Sequence, residues 1–235
     1  MHIAAWLPLS LCDDPGKLAA VVFLGGCNLR CPFCHNPELV LPELVAGGAK
    51  LDPTDLLARL ADRRGFLDSV VVTGGEPTLQ PDLGSFLLEV RRLGFSTKLD
   101  TNGTVPERLA DLLARGLVDY VAMDLKGPPE RYDEFCGTAV DLPRIEQSID
   151  LVRSRAPDGE FRTTVAPGLA ARDLVRVAQW IQGPRRYFLQ PFRAPVEKSL
   201  VDPTWAGRDA LGVAALRAAW PDIAPHVQGG GIRDA

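Results

Sequence analysis

Three cysteines lie close together near the amino terminus, within the stretch Cys27-Asn28-Leu29-Arg30-Cys31-Pro32-Phe33-Cys34. Cysteine thiolates hold iron–sulfur clusters, and a four-iron cluster normally takes four of them. Three thiolates from one loop would leave the fourth iron without a protein ligand, and an open coordination position usually marks a catalytic metal site. The CxxxCxxC spacing therefore predicts that Cys27, Cys31 and Cys34 bind a catalytic [4Fe-4S] cluster.

Two other uses of these thiols stay open from the spacing alone. A disulfide would leave one of the three cysteines unpaired, and a zinc ion could recruit His35 as a fourth ligand. Cys34 and His35 are adjacent, whereas tetrahedral zinc sites usually take their ligands from two separated pairs, so the spacing favours a cluster. The remaining cysteines, Cys12 and Cys136, lie outside the loop and are interpreted as buried or incidental thiols.

The cysteine loop follows a predicted strand, because residues 18–24 are apolar, rich in β-branched side chains and followed by Gly25-Gly26. Strands and helices then alternate along the chain, which indicates βα units and a parallel sheet. The six core strands are predicted at residues 18–24, 69–73, 96–99, 119–123, 160–165 and 186–190. Helices are predicted from residue 53 to an end at Gly65 and at residues 81–93, 106–115, 142–155, 172–181 and 205–219. Residues 3–11 are predicted as a short strand or arm, and residues 35–50 as a loop. Six units fall short of the eight in a closed barrel, so the predicted fold is α/β, a partial (β/α)6 TIM-type barrel.

Unusual polar residues follow these strands where each one ends. They occur in Gly74-Gly75-Glu76-Pro77, Asp100-Thr101-Asn102-Gly103 and Asp124-Leu125-Lys126, with Gln190 at the end of the sixth strand. The carboxyl ends of barrel strands share one face, so these residues are expected to converge on one site with the cysteines. Glu76 could hold an ammonium group there, or it could simply cap a tight βα turn.

Two of these strand ends carry carboxylates, Asp100 and Asp124, which would need a cation or a shared proton if they lie close together. Lys126 is the local counter-charge, and an inward-facing Arg162 on the fifth strand would also need a carboxylate partner. The alternatives are helix-capping acids at the surface and a salt bridge within the barrel.

The three cysteines, with Phe33 before the last of them, resemble the signature of radical S-adenosylmethionine (SAM) enzymes. The stretches Asp14-Pro15-Gly16-Lys17 and Cys31-Pro32-Phe33-Cys34-His35-Asn36-Pro37-Glu38 resemble the activating proteins of anaerobic ribonucleoside-triphosphate reductase, a branch of the glycyl-radical-enzyme activases. The resemblance runs over about residues 7–203. It implies the same (β/α)6 partial barrel, with a radical SAM core.

The resemblance also implies a reaction. Reductive cleavage of SAM at the cluster would give a 5′-deoxyadenosyl radical, which would take a hydrogen atom from a glycine of a partner glycyl radical enzyme. The reductase named above is the implied partner, and a flavodoxin- or ferredoxin-type protein the implied electron donor. Two rival interpretations stay open. One is a radical SAM enzyme acting on a small molecule, such as a 7-deazapurine carboxylate synthase. The other is a non-catalytic iron–sulfur or zinc protein.

By the same resemblance, individual residues take roles around SAM and a monovalent cation. Glu76 would bind the amino group, with backbone contacts from Gly74 and Gly75, while Lys126 would contact SAM and Arg162 would pair with the SAM carboxylate. Asp100, Thr101 and Asp124, with the Ala122 carbonyl, would bind Na⁺ or K⁺. The remaining implied SAM contacts are Phe33 and the His35 backbone at the adenine, Asn102, and Gln190 at the sixth wall. The resemblance assigns no role to Arg193.

Bulk properties exclude several classes of protein. A net charge of −4 over 235 residues argues against a nucleic-acid-binding protein, and no apolar run is long enough to cross a membrane. Residues 3–11 are apolar, but no Lys or Arg precedes them and Pro8 interrupts them, so no signal peptide is expected. Clustered cysteines fit the reducing cytoplasm. We expect one domain over residues 1–235, with an arm at 1–17 and a frayed tail at 228–235.

Overall fold

The eight strands of the described part of the chain form one sheet in which neighbours in space are neighbours in the chain. The computed structural model describes residues 1–196 and 199–233. The first strand is antiparallel to the second, and all later pairs are parallel. The strands are β1 (Ile3–Ser10), β2 (Ala19–Leu24), β3 (Ser69–Gly74), β4 (Ser96–Thr101), β5 (Tyr120–Asp124), β6 (Asp158–Val165), β7 (Tyr187–Pro191) and β8 (Gly230–Ile232).

Helices connect the parallel strands. They are α1 (Pro37–Val40), α2 (Pro42–Gly47), α3 (Pro53–Ala61), α4 (Leu83–Arg92), α5 (Pro106–Ala114), α6 (Tyr132–Cys136), α7 (Leu142–Ser154), α8 (Ala171–Ile181) and α9 (Val213–Ile223). As predicted, the Asp52 carboxylate caps α3 by accepting from the Thr54 backbone N–H. Sequential parallel strands with helical crossovers confirm the α/β partial barrel.

The chain departs from the prediction in two of its connections. Residues 35–50, predicted as a loop, contain α1 and α2, because Pro37 and Pro42 each occupy a first helical position, where proline is favoured. The last helix was expected from residue 205 but begins at Val213. Trp205 instead ends a short 3-10 turn and is buried.

The carboxyl-terminal segment also differs from the expected frayed tail. Residues Gly230–Ile232 form β8 beside β7. The glycines that suggested disorder permit this pairing, because a Cβ on Gly230 would lie 1.8 Å from the Tyr187 carbonyl oxygen. Arg233 then pairs with both oxygens of the buried Glu160, at 2.9 and 2.8 Å. Residues 234 and 235 lie outside the described part of the chain.

The strands are buried on both faces, as a sheet covered by helices requires. One face packs against the helices in the main hydrophobic core. On β2 and β3, the alternate residues Ala19, Val21 and Val71 form a second, small apolar cluster. No helix in residues 1–196 and 199–233 is long and apolar enough to cross a membrane.

Candidate active site

The carboxyl ends of the parallel strands surround a cavity of about 220 Å³. Twelve of the residues predicted for the site line it: Cys27, Cys31, Phe33, Cys34, His35, Gly74, Gly75, Asp100, Thr101, Asn102, Asp124 and Lys126. Four predicted residues, Glu76, Ala122, Arg162 and Gln190, are not in the lining. Sequence reasoning missed Leu29, Asn36, Val40, Thr73 and Thr164. Of these, Thr73 and Thr164 could have been found, because they sit near strand ends like the others.

The cysteine loop is held on both sides by backbone hydrogen bonds. On one side, the Arg30 N–H donates to the carbonyl of Cys136 at 2.8 Å. On the other, the N–H groups of Val201 and Asp202 donate to the carbonyls of Cys34 and Pro32, at 3.1 and 3.0 Å. The segment after β7 therefore runs alongside the loop and fixes its path.

The geometry favours one of the three possible uses of the thiols. All five cysteines are free, so no disulfide forms. The His35 Nε2 donates a hydrogen bond to the Arg193 carbonyl at 2.6 Å, so this nitrogen is not available as a zinc ligand. Across residues 1–196 and 199–233, no three His, Cys, Asp or Glu side chains converge on a point where one metal ion could sit. A four-iron cluster has no such requirement, since each cysteine binds a different iron, and so the three thiols lining one cavity fit the cluster.

Burial raises the pKa of Cys27 to about 11 and also raises the pKa of Cys34. The pKa of Cys31 is lowered, because a hydrogen bond from the Cys136 thiol outweighs burial, and the same contact raises the pKa of Cys136. Cys136 is fully buried beside the loop, as interpreted from the sequence. Cys27 and Cys34 are thus protonated near neutral pH, and metal binding at this loop must release their protons.

Two glycines form the wall of the cavity next to the cysteine loop. A Cβ on Gly75 would lie 2.1 Å from the Gly26 carbonyl oxygen and 2.8 Å from that of Leu39. Backbone approaches this close exclude any side chain at Gly75. The loop after β3 therefore packs directly onto the backbone that begins the cysteine loop.

Glu76 is completely buried behind this wall and accepts four hydrogen bonds. Its Oε1 accepts from the Thr78 N–H at 3.0 Å, the Thr78 hydroxyl at 2.5 Å and the Thr101 hydroxyl at 2.7 Å. Its Oε2 accepts from the Asn102 N–H at 2.7 Å. Burial raises the pKa of Glu76, and these donors offset the rise only in part. The carboxylate ties the loop after β3 to the loop after β4.

Asn102 joins the β4 loop to the cysteine loop. Its Nδ2 donates to the Asn28 side chain at 3.1 Å and lies 3.9 Å from the Cys27 sulfur. Its Oδ1 accepts from the Thr104 hydroxyl at 2.7 Å, and that hydroxyl in turn accepts from the Asn28 amide at 2.9 Å. This closed network fixes the Asn102 amide against the first cysteine.

Asp100 and Asp124 lie close together and share Arg162. The guanidinium contacts Asp124 Oδ1 at 2.8 Å and Asp100 Oδ2 at 3.3 Å. Lys126 Nζ lies 3.3 Å from Asp124 Oδ2, and Lys98 Nζ lies 2.5 Å from Asp100 Oδ1. Burial by itself would lower the pKa of Lys126, but the pKa is raised, chiefly by the Asp124 carboxylate. A cationic Lys126 therefore faces the cavity beside the cysteine loop.

Lowering the pH is expected to remove the contribution of the Asp124 ion pairs to the free energy of unfolding. Burial opposes ionisation, but Arg162 and Lys126 outweigh it and lower the pKa of Asp124 from 3.8 to about 2. A carboxyl group with a lowered folded-state pKa stabilises the fold above pH 4 and loses that contribution as the pH falls toward 2. Denaturant unfolding should show wild type losing about 1–2 kcal/mol more than Asp124→Asn over this window. Parallel losses in the two proteins would contradict the assignment.

A sequence profile that describes the Radical SAM superfamily matches residues 21–181. A protein of Methanocaldococcus jannaschii named as a candidate glycyl-radical enzyme activating enzyme is 34% identical over 201 residues, covering 81% of this chain and 79% of that protein. A 7-carboxy-7-deazaguanine synthase of Methanopyrus kandleri is 33% identical over 130 residues, covering 48% of this chain and 51% of the synthase.

Among solved structures, the fold is similar to that of Streptococcus suis SuiB bound to the precursor peptide SuiA, with a TM-score of 0.70 and 14% identity. The match covers 92% of this chain and 48% of SuiB, so the chain spans about half the length of that protein. At this identity the likeness concerns the fold alone. The matched superfamily region, residues 21–181, contains the cysteine loop and the ends of β3 to β6, whereas Gln190 lies beyond it.

Proposed function

This chain belongs to the radical SAM superfamily, and we propose that it is an activase that generates a glycyl radical in a partner enzyme. The observation that carries the chemistry is the cavity into which Cys27, Cys31 and Cys34 open together with Lys126. The similarity to the M. jannaschii protein supports the activase assignment, because it extends over 81% of this chain.

Cys27, Cys31 and Cys34 would hold three irons of the cluster, which leaves the fourth iron to SAM. When bound, the cluster and SAM supply the one-electron cleavage that gives methionine and a 5′-deoxyadenosyl radical. Lys126 places positive charge beside the thiolates, which favours an anionic group such as the SAM carboxylate. Phe33 is buried, and the centre of its ring lies 6.1 Å from the centre of the Trp205 ring. It supplies an apolar wall that excludes water.

The structure changes the role that we propose for Glu76. Its two oxygens already accept four hydrogen bonds, and the side chain does not line the cavity. We therefore assign the SAM ammonium group to the backbone at Gly74 and Gly75, which do line it. Glu76 acts as a positioning residue that holds this backbone in place.

The proposed hydrogen donor is a glycine Cα in the partner. Transfer of one hydrogen atom to the 5′-deoxyadenosyl radical would form 5′-deoxyadenosine and leave the unpaired electron on that glycine. The electron that cleaves SAM comes from a low-potential flavodoxin- or ferredoxin-type protein, in keeping with a cytoplasmic setting.

Anaerobic ribonucleoside-triphosphate reductase is the partner that we propose. The support is the sequence resemblance in residues 14–17 and 31–38. Residues 14–17 form a tight turn between β1 and β2, closed by the Lys17 N–H donating to the Asp14 carbonyl at 3.1 Å. This turn precedes β2 whereas the cysteine loop follows it, so residues 14–17 support the partner by similarity and not by contact with the site.

A second candidate function is the synthesis of a small product, as in the 7-carboxy-7-deazaguanine synthases. The match to the M. kandleri enzyme favours it, but that match covers 48% of this chain. Both candidate functions begin with the reductive cleavage of SAM. They differ in the hydrogen donor, which is a glycine of a partner protein in one and a small-molecule substrate in the other.

Electron paramagnetic resonance distinguishes the two candidates. Cluster-loaded protein, SAM and a low-potential reductant are mixed anaerobically with the purified reductase. We expect a glycyl radical signal, which should be absent when the reductase's radical glycine is replaced by alanine. Cleavage of SAM without a radical in the reductase, together with turnover of a deazapurine substrate, would reject the activase proposal in favour of the synthase.

A further inference from the structure

Four carboxylate oxygens at the ends of β4 and β5 each face a cationic nitrogen. Lys98 and Arg162 contact the two oxygens of Asp100, and Arg162 and Lys126 contact the two oxygens of Asp124. Three side-chain cations thus surround two carboxylates, which leaves one net positive charge. The nearby Glu160 does not alter this balance, since Arg233 pairs with it.

Lys98 is the member of this group whose position is most constrained. It is 2% exposed and precedes Asp100 by two residues on β4, so both side chains project from the same face of the strand. Its ammonium lies 2.5 Å from Asp100 Oδ1 and 5.9 Å from the centre of the Tyr120 ring. A buried ammonium is stable only when paired, so Lys98 and Asp100 hold each other in place.

A dissociable Na⁺ or K⁺ does not fit this arrangement. Such ions are bound by oxygen atoms, and all four oxygens of the pair are already occupied by nitrogen donors. The Thr101 hydroxyl, also expected as a ligand, donates instead to Glu76 at 2.7 Å.

We propose that the Lys98 ammonium is a built-in counter-ion that positions Asp100, so that the site works without a bound monovalent cation. The role of Asp100 in SAM binding rests on the proposed function, whereas the ion pair itself does not. Replacing Lys98 with a small side chain leaves an empty space beside Asp100. The variant should therefore require a bound cation, whereas the wild-type chain does not. Removing the charge of Lys98 while filling the space should not create this requirement.

The test measures thermal unfolding of the 235-residue chain, as purified and after cluster assembly, in KCl, NaCl, ammonium chloride or choline chloride at constant ionic strength. Wild type should unfold within about 1 °C of the same temperature in all four salts. The unfolding midpoint of Lys98→Ala should be on the order of 5 °C higher in K⁺, Na⁺ or ammonium than in choline, because the ion binds the folded state at the vacated position. Lys98→Met, which fills the space, should show no such rise, and neither should the exposed Lys50→Met control.

A saturable rise in the wild-type midpoint with K⁺ or Na⁺ over choline would overturn the proposal. So would a Lys98→Ala protein that responds to the ions no more than Lys98→Met does. If Lys98→Ala does not fold in any salt, the wild-type comparison decides alone. Because unfolding needs neither SAM nor a partner, failure of the activase proposal leaves this result intact.

Discussion

Replacing Cys31 with serine is expected to abolish assembly of the [4Fe-4S] cluster and to reduce SAM cleavage by at least about 100-fold, since loss of outer-shell groups alone typically costs 10–100-fold at metal sites. Cys31 is the buried member of the three cysteines. The loop contains no fourth cysteine to replace it, and the neighbouring thiol is that of Cys136, which lies behind the loop. A serine hydroxyl is not ionised near neutral pH and is a poor ligand for iron. Iron and sulfide content after anaerobic reconstitution, with the 5′-deoxyadenosine yield, measure the effect.

The matched control is Cys12→Ser, which removes an exposed thiol outside the cysteine loop. It should bind the same amount of iron and sulfide as wild type and cleave SAM at the same rate. A Cys31→Ser protein that keeps a full cluster and full activity would show that the three cysteines of this loop are not the ligands.

Replacing Glu76 with alanine is expected to lower the free energy of unfolding by about 3–5 kcal/mol. The change leaves the N–H groups of Thr78 and Asn102 and two threonine hydroxyls without their acceptor in a fully buried position. Unsatisfied buried donors each cost about 1–3 kcal/mol. Urea unfolding of the purified variant measures the loss.

Two further variants separate the loss of hydrogen bonds from the loss of a charge. Glu43→Ala removes an exposed carboxylate from the first turn of α2 and should change stability by about 0.5 kcal/mol or less. Glu76→Gln keeps one acceptor oxygen but points an amide N–H₂ at the donors on the other side. Its free energy of unfolding should therefore fall by about 1–3 kcal/mol. A Glu76→Ala protein as stable as Glu43→Ala would mean that Glu76 does not tie the two loops together.

Sequence reasoning predicted most of the residues that line the cavity, because the signal is local. An apolar strand followed by glycine or by a polar residue predicts a strand end, and the ends of parallel strands meet on one face. This rule placed the cysteine loop, Gly74-Gly75, Asp100 and Asp124 around the same cavity.

The rule could not tell which way each side chain points. Glu76 turns behind the wall to accept hydrogen bonds from the next loop, and Arg162 lies between two aspartates instead of lining the cavity. Lysine side chains are mostly exposed, so the residue type of Lys98 does not by itself predict a buried position in the site. Its spacing of two residues from Asp100 was the available signal that both share the inner face.

The segments predicted least well are those whose structure depends on distant partners. Gly230–Ile232 forms a strand only because β7 and Glu160 are already in place to pair with it and with Arg233. The course of residues 199–212 depends on the cysteine loop, which accepts the N–H groups of Val201 and Asp202. Neither dependence leaves a periodic pattern in the local sequence.

The most direct test of the account is anaerobic cleavage of SAM. The protein is reconstituted with iron and sulfide, reduced, and given SAM, and 5′-deoxyadenosine is quantified with the Cys31→Ser protein as the blank. We predict a [4Fe-4S] cluster and 5′-deoxyadenosine that forms only when cluster, reductant and SAM are all present. Tight binding of zinc in place of a cluster would contradict the assignment. So would a stable reduced cluster that forms no 5′-deoxyadenosine even when the proposed partner reductase is present.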